Sequence, residues 1–279
     1  MIDILISILF GVVEGITEWL PISSTGHMIL LNELVPFNVS EEFYSMYEVV
    51  IQLGAIMAVI IIFWRSIFPF GKSDKPLGKG VLKYVKKDIF DLWLKILVSC
   101  LPAAVIGILF DEVFEALFYN YVCVAIALIV FGIAFIVIEN KHKNKPAKIN
   151  SLAEISYNTA FLIGIFQLIA AIFPGTSRSG ATIVGALLLG VSRTVAAEFT
   201  FFEAIPVMFG ASLLKLVRFG FEFTNLELLI LAIGMITAFA VSIFVISFLM
   251  SYIKKHNFKV FGYYRIILGV VVLIYFGLF

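Results

Sequence analysis

The chain has 279 residues, 62% hydrophobic and only 14% charged, with a formal net charge of +1 and a mean hydropathy of +1.08. A soluble domain is roughly half apolar and about a quarter charged, so an ordinary soluble fold is excluded, and the near-neutral balance gives no support to a nucleic-acid partner. An all-α polytopic membrane protein is expected.

The first apolar stretch, 3–34, is broken in its middle. It lacks Lys and Arg at its start, and Asp3 and Glu14 interrupt it, so no cleavable signal peptide is expected. The break reads Glu14-Gly-Ile-Thr-Glu18-Trp-Leu-Pro21-Ile-Ser23-Ser24-Thr25-Gly26-His27. Glu14 and Glu18, four apart on a helical stretch, share a face. Carboxylates that close repel unless a cation or proton intervenes, and oxygen ligands suit Mg²⁺ or Ca²⁺. One hydroxyl among Ser23, Ser24 and Thr25 is expected to cap the following helix. His27 has apolar neighbours from Met28 to Leu31, whereas His142 and His256 sit among loop lysines. Three residues after Ser24, His27 is a candidate base for a serine nucleophile.

Segments 43–64, 91–111 and 118–138 then follow, each near the length of about 20 apolar residues that a spanning helix needs. Cys100 and Cys123 read as packing residues, not as a disulfide or metal site. A second broken stretch, 156–190, carries Pro174-Gly175-Thr176-Ser177-Arg178-Ser179-Gly180-Ala181-Thr182. Free N–H groups and the dipole at a helix N-terminus attract phosphate, and Arg178 adds a fork of donors matched to phosphate oxygens. Segments 198–217, 226–250 and 260–279 complete six spans. Arg193 and Glu198 are expected to pair at an interface. Glu48, Gln52 and Glu203 either line the same cavity or satisfy helix contacts.

Pro21 and Pro174 cannot continue a helix without losing a hydrogen bond. Irregular backbone at membrane depth survives only under protein cover or beside a water-filled cavity. Both broken stretches therefore read as re-entrant helical hairpins. Gly11, Glu14, Glu18 and Pro21 align with Gly164, Gln167, Ala171 and Pro174, and Glu42-Phe43 and Gly54-Ala55 with Glu198-Phe199 and Gly210-Ala211. One membrane domain made of two repeat halves, 1–140 and 155–279, follows. Three spans per half make the repeat inverted, with a site at the midplane between the halves.

Lysines and arginines concentrate in loops 65–90, 139–155 and 251–259, whereas Asp111, Glu112 and Glu115 mark an acidic loop. Placing the basic loops, Lys75 and Lys145 among them, in the cytoplasm leaves both termini outside.

With these two strings the chain resembles the undecaprenyl-pyrophosphate phosphatase family, the integral-membrane enzymes linked to bacitracin resistance. That family carries Glu-xxx-Glu followed by Pro-x-Ser-Ser-x-Gly-His, and later Pro-Gly-x-Ser-Arg-Ser-Gly-x-Thr; both motifs are complete here, at Glu14 to His27 and Pro174 to Thr182. The apolar layout matches over nearly the whole chain. One departure is Glu203, where an aliphatic residue is expected. The resemblance implies hydrolysis of undecaprenyl pyrophosphate to the monophosphate, recycling the lipid carrier of cell-wall synthesis. It implies a divalent cation, a bacterial plasma-membrane location and a site open to the outer face. By motif position it makes Glu14, Glu18, Ser24, His27 and Arg178 the leading residues.

On this reading Ser24 attacks the terminal phosphorus, His27 takes its proton, and Glu14 and Glu18 hold the metal. Attack by His27, or by water with a glutamate as base, stays open. The pyrophosphate set comprises Gly175, Thr176, Ser177, Arg178 and Ser179, with Ser23 and Thr25. Partners are the polyprenyl pyrophosphate substrate and membrane lipids, without nucleic acid; a homodimer is left open. The rival from another class is a secondary transporter or polyprenyl-phosphate flippase, since inverted repeats and broken midplane helices also build those.

Overall fold

The structure, a computed structural model, describes residues 2–72, 76–143 and 145–278; Lys75 lies outside the described residues. These residues form helices joined by loops, and the only β pairings among them are isolated bridges such as Ile149 with Val191. Among the described residues, six helical segments are long and apolar enough to cross a membrane: Glu41–Ile62, Lys87–Gly107, Tyr121–His142, Arg193–Phe219, Asn225–Ile253 and Lys259–Gly277. They correspond to the six segments read from the sequence.

In chain order, α1 (Ile2–Thr17) and α2 (Ser24–Leu34) precede α3 (Glu41–Val50) and α4 (Gln52–Ile62), which continue one another with an offset at Ile51. A short α5 (Trp64–Ile67) leads into the first basic loop. There the Trp93 Nε1 donates to the Ile67 carbonyl at 2.7 Å, tying the loop to the next helix. Then come α6 (Lys87–Phe118), α7 (Tyr121–His142), α8 (Tyr157–Ile172), α9 (Arg178–Leu188), α10 (Arg193–Phe219), α11 (Asn225–Ile253) and α12 (Lys259–Leu278).

The broken stretches become two helix pairs. α1 and α8 have 16 residues each, α2 and α9 have 11 each. None of the four reaches the roughly 20 residues needed to span a bilayer alone. The residue before each second helix takes a left-handed backbone: Ser23 at φ 76° and Ser177 at φ 69°, the two non-glycine residues with positive φ among those described. Such conformations are uncommon for residues with a Cβ. Each serine hydroxyl also caps its helix, Ser23 accepting from Gly26 N–H at 3.3 Å and Ser177 from Gly180 N–H at 3.1 Å. The expected cap in the first motif is therefore Ser23.

α1 packs on α11, α8 on α6, and α12 on α7. The Glu139 carboxylate on α7 accepts from Arg193 at the start of α10 and from the Phe258 N–H before α12. The expected Arg193–Glu198 pair does not form. Glu139 is buried with both oxygens aimed at Arg193, whereas Glu198 is half-buried one turn further along α10. Cys100 and Cys123 are free thiols, the first buried and the second partly exposed.

Candidate active site

The two turns meet although their sequences lie far apart. Glu18 follows the end of α1 and is buried. Its Oε1 accepts from Arg178 Nη2 at 3.0 Å, across 160 positions, and its Oε2 accepts from Ser24 Oγ at 2.7 Å. The backbone joins in, since Ser179 Oγ donates to the Glu18 carbonyl at 3.1 Å. Arg178 also donates through Nη1 to the Thr200 carbonyl at 2.9 Å, and Thr200 Oγ1 shares a 2.9 Å hydrogen bond with Thr182 Oγ1. One carboxylate thus touches a hydroxyl from the first motif and a guanidinium from the second.

The partner of Ser24 is not the one expected. His27 Nδ1 donates to the Ser23 carbonyl at 2.7 Å, and its Nε2 meets Tyr264 Oη at 2.7 Å. His27 bonds back to the residue four before it, over its own turn, and Tyr264 from α12 takes the remaining nitrogen. In this arrangement the side chain in contact with Ser24 Oγ is the Glu18 carboxylate, and the His27 imidazole is bonded elsewhere.

Beside this chain of bonds opens a cavity of about 250 Å³. Glu14, Ser24 and Thr25 line it from the first motif, and Glu48 and Gln52 from α3 and α4. Lys215 on α10 joins them, donating to Ser45 Oγ at 3.0 Å. From the second motif only Pro174 reaches the wall. Gly175, Thr176 and Ser179 are buried beneath it. A Cβ on Gly175, whose φ is +89°, would lie 2.5 Å from the Val124 carbonyl, so backbone approach and torsion both demand glycine there. Ser23, Ser177, Gly175, Thr176 and Ser179 thus shape the turns, while Ser24, Thr25 and Glu14 face the cavity and Arg178 acts on it through Glu18.

Glu14 is buried, and its Oε1 has no hydrogen-bond partner. An orphaned carboxylate oxygen at a cavity that also holds a second carboxylate and an amide fits a hard cation that keeps waters or binds phosphate oxygens. Among the described residues no cluster of three or more His, Cys, Asp or Glu is arranged for a metal, so protein donors alone would leave much of an octahedral shell to water and substrate.

Lys215, Tyr264, Glu139 and Arg265 were missed by sequence reasoning. Arg265 carried a usable signal, an arginine in the middle of an apolar span, where charge is costly and seldom without a role. Lys215, inside the apolar segment 198–217, carried the same signal; Tyr264 and Glu139 carried none.

Six helices of membrane-crossing length among the described residues, and a carboxylate bonded at once to a hydroxyl and a guanidinium, define a helical membrane-type protein with a polar site in its interior. Residues 7–271 match the family model described as "Bacitracin resistance protein BacA", and the chain belongs to that family. It is 64% identical to an undecaprenyl-diphosphatase of Desulfitobacterium hafniense, the match covering 99% of this chain and 97% of the relative. It is 62% identical to undecaprenyl-diphosphatase 1 of Clostridium acetobutylicum over 99% and 98%. Against an undecaprenyl-diphosphatase of Acetivibrio thermocellus the figures are 58%, 99% and 98%.

Proposed function

We propose that the chain is an integral-membrane phosphatase that hydrolyses undecaprenyl pyrophosphate to undecaprenyl phosphate and inorganic phosphate, recycling the cell-wall lipid carrier. The observation that carries the proposal is Glu18, bonded at once to Ser24 and to Arg178. Ser24 Oγ attacks the terminal phosphorus, its proton passes to Glu18 Oε2, and undecaprenyl phosphate leaves. Water then adds to phosphorus in the phosphoserine, and the Ser24 oxygen leaves with the proton that Glu18 held. Arg178 keeps Glu18 in place and puts positive charge beside the transferring group, where positioning and charge stabilisation carry most of the catalysis. His27, fixed through Ser23 and Tyr264, holds the backbone at Ser24. A Mg²⁺ or Ca²⁺ would be held by Glu14 with Glu48 and Gln52, and when bound it neutralises pyrophosphate charge. Lys215 offers a further cation on the same wall.

The hairpins read as re-entrant, and the halves 1–140 and 155–279 as an inverted repeat within one domain. Matching helix lengths and the paired left-handed serines support this. The basic loops then face the cytoplasm of a bacterial cell, and the cavity faces outside. In intact cells a cysteine at Asn120 should react with a membrane-impermeant thiol reagent and one at Lys145 should not; labelling at Lys145 alone would reverse the topology.

The deciding experiment measures phosphate release from the purified, detergent-solubilised protein. Transport needs two compartments and hydrolysis does not, so release supports the phosphatase, and its absence under a range of divalent cations favours the transporter class. Brief incubation with terminally labelled substrate, quenched in acid, should place acid-stable label on the peptide containing Ser24. Acid-labile label lost in His27→Gln would make His27 the nucleophile instead.

A further inference from the structure

α12 delivers one charged side chain between the two turns. Arg265 is fully buried. Its Nη1 donates to the Pro21 carbonyl at 3.1 Å, and its Nη2 donates to the carbonyls of Gly175 and Thr176 at 2.9 and 2.6 Å. One guanidinium is thereby bonded to both breaks, 244 and about 90 positions away in sequence. Among the described residues no carboxylate pairs with it; three carbonyl dipoles and the face of Phe131, 5.9 Å away, meet its charge. A buried cation without a counter-charge is costly, and what it secures is the register of the two loops.

A second observation is independent of these bonds. A Cβ on Gly180 would lie 2.8 Å from Arg265 Nη1, so this position in the second motif leaves room for the guanidinium. Gly26, which follows Ser23 by the same three residues, has no neighbour nearer than 3.5 Å to an added Cβ. The two motifs both carry a glycine there, but only at the second would an added methyl press on the tip of the guanidinium.

We propose that Arg265 is a positioning residue whose fork sets the spacing of the two turns, so that Glu18 reaches Ser24 and Arg178 together. The kinetic consequence rests on the phosphatase reading; the structural one does not. Displacing reacting groups by about 1 Å can cost on the order of 10²-fold in rate.

The test uses the full chain in detergent with undecaprenyl pyrophosphate. Arg265→Lys keeps the charge but replaces the two-pronged fork with a single ammonium. It should lower kcat about 10²-fold while KM moves by less than about threefold, the signature of lost transition-state positioning. Gly180→Ala, which leaves Arg265 in the chain and crowds it, should lower kcat in the same manner. The double variant should be no slower than the slower single one, because both changes act on one contact. In parallel, nitroxides placed at the exposed Leu34 and Ala171, with Cys123→Ala to remove the accessible thiol, report the spacing of the hairpins by electron–electron resonance. A single narrow distance should broaden or shift in both variants. Parental kcat in folded Arg265→Lys, multiplicative losses in the double variant, or unchanged distances in both variants would each overturn the proposal. Shifted distances in a protein that releases no phosphate would retain the positioning role and discard the phosphatase reading. If Arg265→Lys fails to insert, Gly180→Ala carries both measurements alone.

Discussion

In the turn before α2, Ser23 adopts φ 76° and caps Gly26; in the turn before α9, Ser177 adopts φ 69° and caps Gly180. From that shared backbone the two regions diverge. Every residue of α9 from Ser179 to Leu187 is buried, whereas α2 buries only Gly26 and Met28. The immersed turn therefore holds a fixed charge, Arg178, against Glu18. The turn at the cavity presents a hydroxyl, Ser24, to the space where a ligand would sit. A strained backbone costing on the order of 1–3 kcal/mol per residue is used twice for the same end, to start a helix abruptly beside a reactive group. Surroundings, not local conformation, decide which chemistry each turn supplies.

Four measurements break or sharpen this comparison, the first three resting on the proposed reaction. The largest effect is expected at the hydroxyl. Ser24→Ala should reduce phosphate release by at least about 10³-fold, as removal of a nucleophile does, and abolish acid-stable label. Substantial activity in a folded Ser24→Ala protein would reduce the first turn to a helix start like the second. Next comes the charge. Arg178→Ala should cost about 10²-fold in kcat, the scale of losing one preorganised electrostatic contact; near-parental turnover would show that the immersed turn is scaffold only. Third is the cavity wall. Glu14→Gln should raise the Mg²⁺ or Ca²⁺ concentration for half-maximal activity by about tenfold or more, comparable to disturbing a metal's immediate surroundings. It should also weaken thermal stabilisation by the same cation, a readout independent of turnover. Unchanged cation dependence in both assays would remove Glu14 from the metal. The smallest effect tests the shared backbone. Ser23→Gly and Ser177→Gly each relieve a left-handed residue but loosen the unfolded chain and lose a side-chain cap, so each should shift stability by no more than about 1 kcal/mol. A large loss at one turn alone would mean that the two backbones are not equivalent.

Much of this was legible in the sequence because its causes are local. Pro21 and Pro174 interrupt apolar runs, hydroxyls follow them, and a capped helix start results; six apolar runs of spanning length gave six helices. The pairing inside the site was less legible. Ser24 and His27 are close in sequence, which favours reading them as a pair, yet Glu18 comes back over the turn to take the hydroxyl and Tyr264, 237 positions later, takes the imidazole. Arg193 showed the same bias: the carboxylate near it in sequence lost to Glu139, 54 positions earlier on another helix. Spacing along a chain predicts partners only when nothing across the interior competes. Here α7, α10 and α12 all compete.

That the last of these helices holds the turns has a consequence for biosynthesis. A ribosome extends the chain by roughly 5–20 residues per second, and earlier segments fold first. Both turns emerge well before Arg265, so Pro21, Gly175 and Thr176 wait with their carbonyls unclaimed until α12 arrives. A chain halted after α11 would have every motif residue and the bonds of Arg178 and Ser179 to Glu18, but not the guanidinium that joins the carbonyls of the two breaks. If Arg265 sets the spacing of the turns, competence at the site is acquired late, and a nascent chain already threaded into the membrane stays inert until α12 has joined the rest.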